Sequence, residues 1–210
     1  MKISALSLCS LLFLLQAPFA SAGQYNSILN IGDDLPAFDN LPSISGETIS
    51  SSQLDEDILV LVSLANHCPW VKGMDKDLVA LSNKFKNDSV RIIGLSVNHR
   101  DDDRLPAMVI HAQKVGYNFD YMFDESQELG RALGATRTPE YFVFNKQRKL
   151  IYTGALYNSP AKMSSDGTVK HINGKPSEFY VENAILATLE NRQVTPSETR
   201  AHGCTVKYVQ

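Results

Sequence analysis

The chain carries three cysteines, and Cys68 has the neighbours that sulfur chemistry would need. It lies in Asn66-His67-Cys68-Pro69-Trp70-Val71-Lys72, directly after an apolar run from Ile58 to Leu64. The run predicts a buried strand. Beyond Cys68, apolar residues recur at Val71, Met74, Leu78, Leu81 and Phe85. Steps of three and four mark one stripe of an amphipathic helix. Pro69 suits the first turn of that helix, where a missing backbone donor is harmless. A thiol at this junction faces the positive end of a helix dipole and its unpaired amides. Such a setting favours thiolate, the reactive form of sulfur. Lys72 one turn on, and His67 when protonated, would push the same way, while burial beside Trp70 would oppose. The expectation is one ionised sulfur presented to solvent.

A second thiol is needed for any cycle within one chain. Cys9 falls in an N-terminal segment with the marks of an export signal. Lys2 is followed by apolar and small residues from Ile3 to Leu15, then Pro18 and the small-x-small Ala20-Ser21-Ala22. Residues 1–22 are therefore read as a signal peptide and 23–210 as one domain, exported to a periplasm or secreted. The segment is too short to span a bilayer, and no later run is apolar enough, so no stable membrane span is expected. That leaves Cys68 and Cys204. Two distant thiols in an oxidising compartment suggest a disulfide, either structural or catalytic. As a permanent staple it would contribute roughly 4–5 kcal/mol on the chain-entropy model.

Charge excludes more than it assigns. The formal net charge is −3, so nothing suggests nucleic-acid binding or a basic membrane patch. His99, His111, His171 and His202 are scattered with no metal-ligand spacing, and no metal or other cofactor is expected. Asp101-Asp102-Asp103 lacks the glycine-containing calcium loop and is read as a solvated helix start. No glycine-rich phosphate loop or nucleophile elbow occurs.

The elements that must position Cys68 follow in order. A second buried strand is expected over Val90–Val97. A helix follows the three aspartates, with Leu105, Met108, Val109, Ala112 and Val115 inward. Phe119–Phe123 reads as a strand and Ser126–Leu133 as a short helix ended by Gly134. Tyr141–Phe144 and Leu150–Tyr152 flank Asn145-Lys146-Gln147-Arg148 as a hairpin. A last helix runs from about Ser177 to Glu190. Residues 156–177 are polar and turn-rich, a surface loop or small flap, with Lys162, Lys170 and Lys175 solvated. Alternation at the front and a hairpin at the end imply an α/β fold with a central mixed sheet and helices on both faces.

With strand, Cys-Pro helix, Arg137-Thr138-Pro139 and the terminal hairpin and helix in sequence, the chain resembles the thioredoxin-like superfamily over about residues 30–208. Asn66 to Lys72 and the tail from Pro196 to Lys207 are similar to exported peroxiredoxin-like proteins of the alkyl hydroperoxide reductase/thiol-specific antioxidant group. The resemblance implies a thioredoxin fold, a cis Pro139 against Cys68, and Arg137 as the cation near the sulfur. It implies an external thiol reductant, and a peroxide or disulfide substrate. Cys68 would attack and Cys204 resolve, with Arg137, Thr138 and Pro139 shaping the site and Asn66, His67, Trp70 and Lys72 supporting it.

The departures carry equal information. Val71 stands where thioredoxins have a second cysteine, so any intramolecular partner of Cys68 is Cys204. Typical peroxiredoxins carry Pro and a Thr or Ser at the places of Leu61 and Ala65, where the hydroxyl helps hold peroxide. Lys72 occupies the second cysteine position of copper-delivery relatives. Two functions besides peroxide reduction therefore stand: disulfide exchange on protein substrates, and a non-catalytic binding module with a structural Cys68–Cys204 bond. Copper handling would need both thiols and a histidine as ligands. Bland roles stay open for His67 and Asn66, as loop packing, and for Trp70, as a pocket wall.

Overall fold

Alternate residues of a strand face opposite sides of a sheet, and in Ile58–Leu64 both sets are apolar or small. A strand of this kind must be covered on both faces. The computed structural model describes residues 23–210, so the expected export segment lies outside the described residues. In chain order the elements are β1 (Leu41–Pro42), β2 (Thr48–Ile49), β3 (Ile58–Leu64), α1 (Pro69–Lys84), β4 (Val90–Ser96), α2 (Leu105–Val115), β5 (Asp120–Phe123), α3 (Glu128–Ala132), β6 (Arg137–Thr138), β7 (Glu140–Phe144), β8 (Leu150–Gly154), β9 (Ala161–Met163), β10 (Val169–His171), α4 (Tyr180–Leu189) and β11 (Cys204–Thr205).

Five strands form the central sheet in the order β5-β4-β3-β7-β8. β3 pairs parallel with β4, and β4 with β5, while β7 runs antiparallel to both β3 and β8. The first-listed pairings follow from helical crossovers and the last from the hairpin, as the element order predicts. One face packs Ile58, Val60, Val62 and Leu64 against Val71, Met74, Leu78 and Leu81 of α1, Met108 of α2 and Ile185 of α4. The other packs Leu59 and Leu61 with Leu129, Leu133 and the segments bearing Leu29, Phe38, Ile49 and Leu54. Helices thus cover both faces unequally. The three long ones share one side, and the turn-rich N-terminal region with the short α3 fills the other.

Two details sharpen the sequence expectation. The segment read as a surface loop or small flap holds the antiparallel pair β9–β10. Its Ala161 is fully buried, and β9 lies on α1 where Gly73 leaves room. A Cβ at Gly73 would stand 2.7 Å from the Ala161 carbonyl oxygen. The three aspartates form a 3₁₀ turn before α2, with Asp101 and Asp102 solvated as expected and Asp103 buried. Asp103 turns inward because its side chain has a partner there, described below.

α1 is held to its neighbours by polar bonds as well as packing. Asp75, buried on α1, accepts from the Tyr117 hydroxyl at 2.5 Å and lies 3.3 Å from His111 Nε2. Tyr157 donates to Asp77 at 2.9 Å. Among the described residues no helix is long and apolar enough to cross a membrane.

Candidate active site

Cys68 is the N-cap residue of α1, with Pro69 at the first helical position. Its carbonyl accepts the Lys72 amide at 3.0 Å, and its own amide donates to Ala65. The strand-to-helix junction is therefore built as the sequence predicts. The solvent exposure is not. Cys68 has 0% of its surface accessible, and its thiol donates to the Thr138 carbonyl oxygen at 3.1 Å. The Thr138–Pro139 peptide is cis, as the resemblance implied.

The cover over Cys68 comes from the far end of the chain. β11 pairs antiparallel with β6, setting Cys204 opposite Thr138 and Thr205 opposite Arg137. Cys204, half-buried, packs against the core cluster that contains Cys68. Both are free thiols. The approach of the tail is close enough to demand glycine before it. A Cβ on Gly203 would fall 2.1 Å from the Thr138 carbonyl oxygen. Burial, and then interaction with the Cys68 sulfur, push the Cys204 thiol up to about 12, with Lys162 pulling the other way. Cys204 is thus a protonated thiol at neutral pH.

Each expected residue has a definite place. Asn66 is buried and donates to the Asp102 carbonyl at 2.7 Å, while the Tyr121 hydroxyl donates to its Oδ1 at 3.2 Å. His67 Nδ1 meets Asp103 Oδ2 at 2.6 Å, and its amide donates to Oδ1 of the same carboxylate at 3.3 Å. Trp70 is half-buried and packs on the core. Thr138 is buried, and its hydroxyl has no protein partner.

Arg137 is tied to the tail strand. Its guanidinium donates to the Thr205 hydroxyl at 2.8 Å. As cross-strand neighbours one step from Thr138 and Cys204, Arg137 and Thr205 face the opposite side of the ladder. A cation that acts on Cys204 comes from the segment read as a surface loop or small flap. Lys162 Nζ stands 5.6 Å from the centre of the Trp70 ring, within cation–π range. Lys162 and Lys72 line an open groove with His67, Pro69, Met163 and the Ser164–Gly167 turn.

Sequence reasoning missed Asp103, Lys162 and Glu140. Glu140 Oε2 accepts from the Thr136 and Arg137 amides at 2.8 and 3.0 Å, shaping the turn that leads into Thr138. Burial raises its carboxyl above the ordinary value, opposed by those amides. Long-range placement hid Asp103 and Lys162, whereas Glu140 bonds only three and four residues back. Only Glu140, two residues after Thr138, offered a positional hint. Among the described residues no cluster of three or more His, Cys, Asp or Glu could hold a metal.

A mixed sheet of this order, with a cysteine at the N-cap of its first long helix and a cis proline across from it, defines a thioredoxin-like protein. The family model for AhpC/TSA matches residues 31–153, and the chain belongs to that family. Thiol-dependent redox chemistry is the family's business, with a thiol reductant as its general partner. An uncharacterised conserved protein from Geobacillus kaustophilus is 27% identical, with TM-score 0.78, covering 88% of this chain and 95% of its own. Peroxidoxin BcpB from Mycobacterium tuberculosis is 18% identical at TM-score 0.52, over 60% of this chain and 84% of its own. The thioredoxin domain of a thiol-disulfide oxidoreductase from Bacteroides vulgatus is 16% identical at TM-score 0.51, over 60% and 88%. The last two likenesses concern the fold alone. No curated protein matches the chain.

Proposed function

We propose that the protein is an exported thiol-dependent oxidoreductase of peroxiredoxin-like chemistry, with Cys68 attacking and Cys204 resolving. The observation that carries this is the meeting of the two thiols. Cys204 is delivered by β11 to the carbonyl that Cys68 bonds, although the two lie in widely separated parts of the sequence.

In the cycle, Cys68 as thiolate attacks the distal peroxide oxygen. The S–O bond forms, the O–O bond breaks, and the alcohol or water leaves with a proton. The sulfenic acid on Cys68 is then attacked by Cys204, which yields its proton as water departs, leaving a Cys68–Cys204 disulfide. An external dithiol reduces that bond by exchange. Oxidising Cys68 removes the sulfur interaction that helps hold Cys204 protonated, so the second thiol becomes easier to ionise when it is needed.

A second reading, disulfide exchange, is favoured by Leu61 and Ala65, which put no hydroxyl where typical peroxiredoxins hold peroxide. Export rests on the character of residues 1–22, and the compartment would be a periplasm or the secretory route.

Peroxide consumption with a dithiol donor tests the reading, in wild type, Cys68→Ser and Cys204→Ser. Loss of Cys68 should abolish turnover, and loss of Cys204 should leave a sulfenic acid that a carbon-acid trap captures. A permanent staple predicts no turnover in any form and a lower melting temperature in either variant.

A further inference from the structure

Asp103 has no accessible surface, and a buried carboxylate without compensation is destabilising by several kcal/mol. Both of its oxygens are directed to one residue. Oδ1 accepts the His67 amide, and Oδ2 meets His67 Nδ1 at 2.6 Å. The loops on either side are fixed as well. Ser96 donates to the Asp103 carbonyl at 2.7 Å, and Asn66 to the Asp102 carbonyl at 2.7 Å. The imidazole is therefore held at one nitrogen and cannot swing.

The other nitrogen is turned to a different use. Nε2 of His67 has no hydrogen-bond partner among the described residues, and the side chain is 22% exposed. It lines the groove with Pro69, Lys72 and Lys162, immediately before the attacking cysteine in sequence. A bond at Nδ1 sets which nitrogen remains for proton transfer.

We infer that His67 gives the proton to the group that Cys68 displaces from its substrate, and that Asp103 is the positioning residue that aims it. The inference rests on the proposed attack by Cys68. As the S–O bond forms and the O–O bond breaks, the electron pair goes to the departing oxygen. His67 enters this step as the imidazolium, its Nδ1–H on the Asp103 carboxylate; the Nε2 proton passes to the departing oxygen, giving an alcohol or water, and the neutral imidazole that is left recovers a proton from solvent. With a disulfide substrate the same proton goes to the departing sulfur.

A proton donor matters most for a basic leaving group. Single-turnover oxidation of the reduced full chain, followed by fluorescence of Trp70, the sole tryptophan, and by loss of titratable thiol, compares two oxidants. Hydrogen peroxide expels hydroxide, and peracetic acid expels acetate. His67→Gln should slow reaction with hydrogen peroxide by about 10²-fold, the usual scale of general-acid catalysis, and leave peracetic acid unchanged. Asp103→Asn should follow it. His67→Gly should recover rate as imidazole is added to the buffer. Should Asp103→Asn fail to fold, His67→Gln, changed at a partly exposed site, still decides. Equal loss with both oxidants, no loss with either, or no rescue by imidazole overturns the inference. A wild type that reacts no faster than Cys68→Ser overturns the sulfur chemistry itself, and the proton donor with it.

Discussion

Replacing Gly203 with alanine strikes the contact by which the tail reaches Cys68. The added methyl would lie 2.1 Å from the Thr138 carbonyl oxygen, 2.5 Å from its carbon and 3.1 Å from Pro139 N. Non-bonded atoms settle near 3.5 Å, so the tail must retreat by about 1 Å or more. The groups it meets are backbone, fixed by Glu140 and by the sheet, and cannot yield as a flexible side chain would. Cys204 retreats with it. A misplacement of about 1 Å can slow a positioned reaction by 10²-fold, and that is the expected drop in the rate of Cys68–Cys204 disulfide formation. Loosening the Arg137–Thr205 and Val206–Thr136 hydrogen bonds costs about 1–2 kcal/mol. For a domain of this size that lowers Tm by about 2–8 °C. The assay mixes reduced protein with peroxide in the presence of a sulfenic-acid trap and weighs the products by mass spectrometry. Wild type should close to the disulfide, whereas the variant should accumulate trapped Cys68. A variant that forms the disulfide at the wild-type rate, with no trapped species and an unchanged Tm, would refute the account of how the tail is seated.

Three further outcomes follow from the same geometry. Because burial and then Cys68 hold the Cys204 thiol up, Cys68→Ser should speed alkylation of Cys204 at pH 8 to 9, read by mass spectrometry against time. Glu140 has a raised carboxyl, so between its ordinary value of 4.5 and the folded value the native state binds more protons than the unfolded chain. Stability therefore falls as pH rises through that window; Glu140→Gln should flatten this slope in urea titrations, its amide oxygen still accepting the Thr136 and Arg137 amides. Gly73→Ala should lift β9 from α1, since the new methyl meets the Ala161 carbonyl at 2.7 Å, and the loss of Lys162 from the Trp70 ring should appear as a shift in tryptophan emission.

The sheet and its main helices were legible because each rests on a local period. Ile58–Leu64 is apolar on both faces, and the Val71-to-Phe85 stripe fits one helix surface. Segment ends moved by a residue or a few, as at α4, which begins at Tyr180 where a start near Ser177 was expected. The site was legible only where chain neighbours make it, in Cys68-Pro69 and Thr138-Pro139. The Arg137–Thr205 bond was not legible because it depends on a two-residue pairing with β11, which no local pattern announces. Asp103 and Lys162 were misread because a charged residue in a polar run looks solvated until its partner is known. His67 lies 36 positions from Asp103, and Trp70 lies 92 positions from Lys162. The buried state of Cys68 was missed for the same reason, since its cover is the tail.

The side chain of Gln127 ties down the last residues of the tail, its amide nitrogen donating to the Lys207 carbonyl at 2.9 Å and its oxygen accepting the Val209 amide at 2.7 Å. Upstream, Thr199 is stitched to Thr153, Ala155 and Tyr152. The stretch carrying Gly203 and Cys204 is therefore moored at both banks, like a short footbridge. The place of Cys204 at the Thr138 turn is thereby set from both sides of β11.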